Sequence, residues 1–142
     1  MDGIAAAIIH KNRILLIKRR FVPFIIVNPG AWSLLFGTRK EDEPYLETAY
    51  REIEEETSIE RSDLQLVGKP FQVEAFDISG SKRWKNMMFI FKSGTEKVKL
   101  DIENSRYRWA SYKEIKGRVG YTNIFSNPEA IEKRIKRALD GR

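Results

Sequence analysis

Apolar residues recur along this chain at two different periods. Residues 3–9 (GIAAAII) and 13–18 (RILLIK) are near-continuous apolar runs joined by the polar His10, Lys11 and Asn12. Runs of this length, bounded by polar turn residues, predict a β-hairpin in the middle of a sheet. Residues 20–31 (RFVPFIIVNPGA) hold two prolines and a glycine and predict a loop. Residues 32–36 predict a short strand. The period then becomes helical: Leu46, Ala49, Tyr50 and Ile53 fall on one stripe, behind a Glu43-Pro44 start with proline in the first turn. Residues 63–77 alternate like one or two strands, broken near Gly68-Lys69-Pro70. A turn over 78–82, a strand over 84–92, a short strand over 106–110 and a helical turn over 111–116 follow. Ser126 or Asn127 caps a last helix, with Pro128 at its start and Ile131, Ile135, Ala138 and Leu139 as its stripe. This order predicts an α/β (α+β) fold, a mixed sheet packed between helices as an α/β/α sandwich. No linker or repeat divides it, so residues 1–142 read as one domain.

Composition narrows the class. The chain has 142 residues, enough to bury a core, and 42% of them are hydrophobic. It has no cysteine, which excludes disulfides and thiolate metal sites. No apolar run approaches the roughly 18 residues of a membrane helix. Met1-Asp2-Gly3 lacks the basic start of a signal peptide, so the cytoplasm is the expected location. Abundant Ile, Lys, Arg and Glu beside two glutamines hint at a thermophile. The net charge is +6 and the pI about 9.6. A basic surface attracts polyphosphates, nucleotides or RNA, or simply keeps the protein in solution.

Against that basic background, residues 51–56 (REIEEE) are conspicuously acidic. Glu52, Glu55 and Glu56 fall at i, i+3 and i+4, so a helix carries all three carboxylates on one face. Like charges at that spacing cost roughly 0.2–0.5 kcal/mol per pair. They also lie near the C-terminal end of their helix, where the macrodipole disfavours negative charge. Acids crowded where they repel suggest a bound cation, and hard oxygens suit Mg²⁺ or Mn²⁺.

The surrounding spacing is specific. Gly37 is followed after five residues by Glu43, and after seven more by Arg51-Glu52, then Ile53, Glu55-Glu56 and Ile59. This pattern resembles the signature of the Nudix hydrolases: Gly, five residues, Glu, seven residues, Arg-Glu-aliphatic-x-Glu-Glu-x-Gly-aliphatic. Ser58 stands where the second glycine is expected. The resemblance implies the Nudix fold and a MutT-like enzyme that hydrolyses a nucleoside diphosphate linked to another moiety. It implies a divalent cation, Mg²⁺ or Mn²⁺, that neutralises phosphate oxygens and activates water.

Carried over residue by residue, the resemblance implies Glu55 and Glu56 as principal metal ligands and Glu52 as ligand or water-orienting base. It implies that Arg51 holds one of these carboxylates, that Gly37 offers its carbonyl to the metal, and that Glu43 is structural. Glu54 is the variable position and is expected in solvent. Glu103 matches a further glutamate that serves family members as ligand or base. Arg19 resembles a basic residue near the substrate phosphates, and Phe76 falls where some subfamilies place a stacking residue. For Gly37, Glu43, Arg51, Glu52, Glu55 and Glu56 the alternative is an ordinary surface or helix-capping role, for Glu103 a loop acid, for Arg19 a strand-end arginine in solvent and for Phe76 a core aromatic.

Two departures stand out. Family members usually read Pro-Gly-Gly where this chain has Leu35-Phe36-Gly37, so Phe36 adds bulk beside the motif. Ser58 occupies a helix terminus that prefers a left-handed glycine, at a cost of ~1 kcal/mol. Phe21, Phe24, Trp32, Trp84 and Tyr121 are further aromatic candidates for base stacking, although aromatics more often fill cores. Lys82, Arg83 and Lys85 form a basic patch, and Lys133, Arg134, Lys136 and Arg137 the polar face of the last helix. His10 is the only histidine and reads as a turn residue. The competing readings are a nucleotide- or RNA-binding module with weak catalysis and, with only the pI behind it, a DNA-binding domain. Homodimers are common in the family, but no stretch of the sequence marks an interface.

Overall fold

The computed structural model describes residues 2–19, 32–76, 83–101, 104–116 and 127–141, with the backbone alone at 19, 76, 104 and 105. Eight strands form one mixed sheet: β1 (Asp2–His10), β2 (Arg13–Arg19), β3 (Trp32–Ser33), β4 (Leu35–Thr38), β5 (Leu64–Leu66), β6 (Phe71–Phe76), β7 (Arg83–Ser93) and β8 (Asn104–Ala110). The helices are α1 (Tyr45–Thr57), the single turn α2 (Tyr112–Ile115) and α3 (Pro128–Leu139).

β1 is the axis of the sheet. It joins β2 through a tight turn in which Lys11 and Asn12 have φ of 47° and 64°. Two successive positive φ values make the type I′ turn, whose twist matches that of paired strands. Past this turn β2 leaves β1 for β3 and β8. β4 takes the vacated edge, from Gly3↔Thr38 to Ala6↔Leu35. The other edge of β1 pairs in parallel with β7 from Asp2↔Lys85 to Ile9↔Lys92. β7 in turn carries β5 and β6.

Alternation along β1 divides the core. Ile4, Ala6 and Ile8 pack with Ala49 and Ile53 of α1, whereas Ala5, Ala7 and Ile9 pack with Ile131, Ile135, Ala138 and Leu139 of α3. The expected sandwich and both helical stripes are therefore present. Two expectations change. Residues 32–36 form two strands, because Ser33 pairs with Ile17 of β2 while Leu35 pairs with Ala6 of β1. Pro44 is the N-cap of α1 and lies just outside its first turn, with extended backbone. At the last helix Asn127 is the cap, its side chain accepting from the Ala130 N–H; Ser126 lies outside the described residues.

Candidate active site

β4 delivers Gly37 to the face of the sheet that α1 covers, and the acids of α1 meet it there. A Cβ on Gly37 would lie 2.1 Å from Glu52 Cγ and 2.4 Å from its Cδ, so the Glu52 side chain lies directly over the Gly37 backbone. A Cβ on Gly3 would lie 2.2 Å from the Gly37 carbonyl oxygen. Two glycines on neighbouring strands thus let β1, β4 and α1 approach in register.

Arg51 ties this arrangement together. Its Nε and Nη2 donate to Glu43 at 2.9 and 2.8 Å, and its Nη1 donates to Glu52 at 2.8 Å and Glu55 at 3.4 Å. Nη2 also donates to the Thr38 carbonyl at 3.0 Å, which anchors the guanidinium to β4. Glu43 accepts further bonds from the Thr48 hydroxyl at 2.7 Å and the Lys40 N–H at 3.2 Å. The Arg51 bond, then the Thr48 bond, hold the Glu43 carboxyl down to about 2. Glu43, with Glu52 after it, raises the Arg51 guanidinium further above its ordinary range. The expected pairing of Arg51 is present, and the structural role expected of Glu43 is to hold Arg51.

The acids are graded in exposure. The Glu52 side chain is 15% exposed and that of Glu55 56%, while Glu56 is buried. Glu54 is exposed, as expected, and lines with Glu43, Glu47, Tyr50, Arg51, Glu55 and Arg61 an open groove of about 660 Å³. Among the described residues no three acidic or histidine side chains converge into a ready-made metal cage; Glu52 is instead turned to Arg51. The donor chemistry nonetheless suits a hard divalent cation, because Glu52, Glu55, Glu56 and the Gly37 carbonyl offer oxygen alone.

The helix end is tied down from residues 99–101. Ser58 adopts φ 63°, ψ 12°, and its N–H donates to the Glu54 carbonyl at 2.9 Å. Its hydroxyl donates to the Lys99 carbonyl at 3.1 Å. Lys99 and Asp101 donate their N–H groups to the carbonyls of Thr57 and Glu56. Serine therefore occupies the left-handed slot expected of glycine, held there by its bond to the Lys99 carbonyl. Phe36 lies buried on the α3 side of the sheet, opposite the acids.

A second cluster escaped sequence reasoning. Asp2 accepts from the Tyr45 hydroxyl at 2.7 Å and from Arg39 Nε at 3.1 Å, and Arg39 also donates to the Glu43 carbonyl. The Tyr45 bond leads, and Arg39 adds, in lowering the Asp2 carboxyl. This cluster pins the loop between β4 and α1 to the start of β1. Arg39 lies in the variable part of the motif and Asp2 at a strand start, so neither position carries a periodic signal.

Other candidates have structural settings. His10 Nδ1 lies 2.8 Å from the Ser93 carbonyl, and its ring leans on Trp109. Trp32 packs at the edge of the core beneath Arg108. Arg83 pairs loosely with Glu74, and Lys85 is exposed on the same strand. On α3, Arg134 stacks on Phe71 at 4.0 Å and Lys136 pairs with Asp140. Glu103, Phe21, Phe24, Tyr121 and Lys82, and the side chains of Arg19 and Phe76, lie outside the described residues.

A family model of the NUDIX domain matches residues 2–127. The chain belongs to the Nudix family. Solved structures agree with the family assignment. A MutT protein from Methanosarcina mazei Go1 is 26% identical, with 97% of this chain and 94% of that one covered and a TM-score of 0.70. An Ap4A hydrolase from C. elegans shares the fold at 16% identity, 99% and 98% coverage and a TM-score of 0.73. The E. coli dihydroneopterin triphosphate pyrophosphohydrolase does so at 18%, 99% and 96%, and 0.68. A comparison with curated proteins gave no significant match. The Nudix domain, with the MutT protein as its solved relative, makes the chain a hydrolase of the pyrophosphohydrolase type. Among the described residues no helix is long and apolar enough to cross a membrane.

Proposed function

We propose that this Nudix protein hydrolyses, with Mg²⁺ or Mn²⁺, the pyrophosphate bond of a nucleoside diphosphate linked to another moiety. Nucleoside triphosphates, nucleotide sugars, ADP-ribose and dinucleotide polyphosphates are the candidate substrates. The observation that carries this reading is the Arg51 hub, which joins Glu52 and Glu55 to the Thr38 carbonyl of β4. Glu52, Glu55, Glu56 and the Gly37 carbonyl would hold the cation, with Glu103 as a further ligand or base. The cation would supply charge neutralisation at phosphorus and an activated water. Glu52, clamped by Arg51, would orient that water; the basic Arg19 would meet phosphate and Phe76 a base. Ap4A and dihydroneopterin triphosphate, acted on by two structural neighbours, both carry the phosphoanhydride linkage this chemistry needs.

The test is release of phosphate or pyrophosphate across that panel, with Mg²⁺ or Mn²⁺, with EDTA, and with Glu55→Gln. Metal-dependent turnover that Glu55→Gln abolishes is the expected result. Absence of turnover over the whole panel, with nucleotide or RNA binding retained, would replace the enzyme by a binding module.

A further inference from the structure

Residues 39–44 run from β4 to α1 outside the core. Lys40, Glu41, Asp42 and Pro44 are exposed, and Arg39 and Glu43 are half-buried. Asp42 holds φ at 62° there. A segment with so little apolar burial takes its position from polar bonds. Among the described residues, the bonds that tie it to β1 run to Asp2. The Arg39 N–H donates to the Asp2 carbonyl at 3.3 Å. Arg39 Nε donates to both carboxylate oxygens, at 3.3 and 3.1 Å, and the Tyr45 hydroxyl donates to Oδ2 at 2.7 Å. The Arg39 guanidinium also lies 5.0 Å over the Tyr45 ring. Arg39 begins the segment and Tyr45 opens the helix after it, so one carboxylate holds both ends.

The consequence reaches the hub through Glu43. Arg39 Nη1 donates to the Glu43 carbonyl at 3.1 Å, and the Glu43 N–H donates to the Lys40 carbonyl at 3.1 Å. A single side chain, that of Arg39, thus stands between the Asp2 carboxylate and the backbone of Glu43. The Glu43 carboxylate in turn takes Nε and Nη2 of Arg51, whose Nη1 donates to Glu52 and Glu55. Global stability is a poor reason for this cluster. The side chains of Arg39 and Asp2 are 28% and 31% exposed, and ion pairs with that much solvent add little to folding. Their effect is local: they set where Glu43 stands.

We infer that Asp2 is a positioning residue for hydrolysis, holding Glu43 where it can aim Arg51 at Glu52 and Glu55. This rests on the reading of Glu52 and Glu55 as carboxylates that act on the cation and the attacking water. Asp2 bonds to neither. It acts through Arg39, Glu43 and Arg51, a contiguous chain of hydrogen bonds. Aspartate suits the place because its two oxygens accept from two donors on a short stem, and its charge strengthens both bonds. Alanine removes every acceptor of that side chain and leaves the strand pairing of the backbone.

The experiment compares Asp2→Ala with the parent as whole proteins in three readings. Thermal melting is expected within about 4 °C of the parent. In EDTA, the Arg51 Nε–H resonance, assigned by its loss in Arg51→Lys, is expected to shift and to exchange faster with water. With saturating Mg²⁺, kcat is expected to fall at least about 10-fold while KM stays within about 2-fold. If Asp2→Ala does not fold, Tyr45→Phe, which removes only the hydroxyl, carries the same readings. An unmoved Arg51 resonance, or parental kcat per folded molecule, would overturn the inference and leave the hydrolase reading in place. If the parent turns over no substrate of the panel, the hydrolase reading falls, and the Arg51 resonance alone upholds or overturns the relay from Asp2.

Discussion

Gly37 and Glu52 interlock: the glutamate side chain fills the space that a Cβ on residue 37 would occupy, 2.1 Å from Cγ. The motif glycine is thus a steric requirement of the motif glutamate, whatever its carbonyl binds. Gly37→Ala should push Glu52 off the β4 edge. A displacement of this size is expected to lower kcat by about 100-fold. Kinetics beside circular dichroism would check it; a folded variant with parental kcat would refute the coupling.

Arg51 serves Glu43, Glu52, Glu55 and the Thr38 carbonyl from one planar fork. A lysine ammonium at the end of a flexible stem cannot reach all four. Arg51→Lys is expected to lose about 2 kcal/mol of stability, the scale of one or two charged hydrogen bonds, and to lower turnover. Urea denaturation measures the first and steady-state kinetics the second.

Glu43 gives the hub a pH dependence of defined sign. Its carboxyl is lowered in the folded chain from an ordinary 4.5 to about 2. The folded state therefore holds fewer protons than the unfolded chain between those values. The contribution is complete above about 4.5 and disappears as pH falls through about 2. Glu43→Gln should melt below the parent at pH 7, and the gap should narrow steadily on acidification. A gap independent of pH would show that the Arg51 bond does not set this carboxyl.

Ser58 holds a left-handed conformation that suits glycine. Ser58→Gly relieves about 1 kcal/mol of backbone strain and gives up the exposed bond to the Lys99 carbonyl. A net stabilisation of up to about 1 kcal/mol with unchanged kinetics is expected from thermal melts. A destabilised variant would show that Lys99 matters more than the backbone.

The parts of this fold read from the sequence are those written in local period. Ile131, Ile135, Ala138 and Leu139 announce α3, and the spaced acids announce α1. The break at Leu34 was not legible, because nothing local says that Ser33 pairs with β2 while Leu35 pairs with β1. The Asp2–Tyr45–Arg39 cluster was hidden for the same reason: 37 residues separate Asp2 from Arg39. Grouping Glu52, Glu55 and Glu56 on one helical face was right in spacing, but not in setting. Gly37 and Arg51 hold Glu52 at the β4 edge, Glu56 is buried, and Glu55 faces outward.

The parallel pairing of β1 with β7 joins residues more than eighty positions apart, as in Asp2↔Lys85. No hairpin can bring such strands together, so this seam closes only after a long stretch of chain has been gathered. Gly3, which the Gly37 carbonyl approaches, is itself a member of that seam. The Gly37 edge of β4 is thereby tied, through β1, to a seam that closes only across the greater part of the chain.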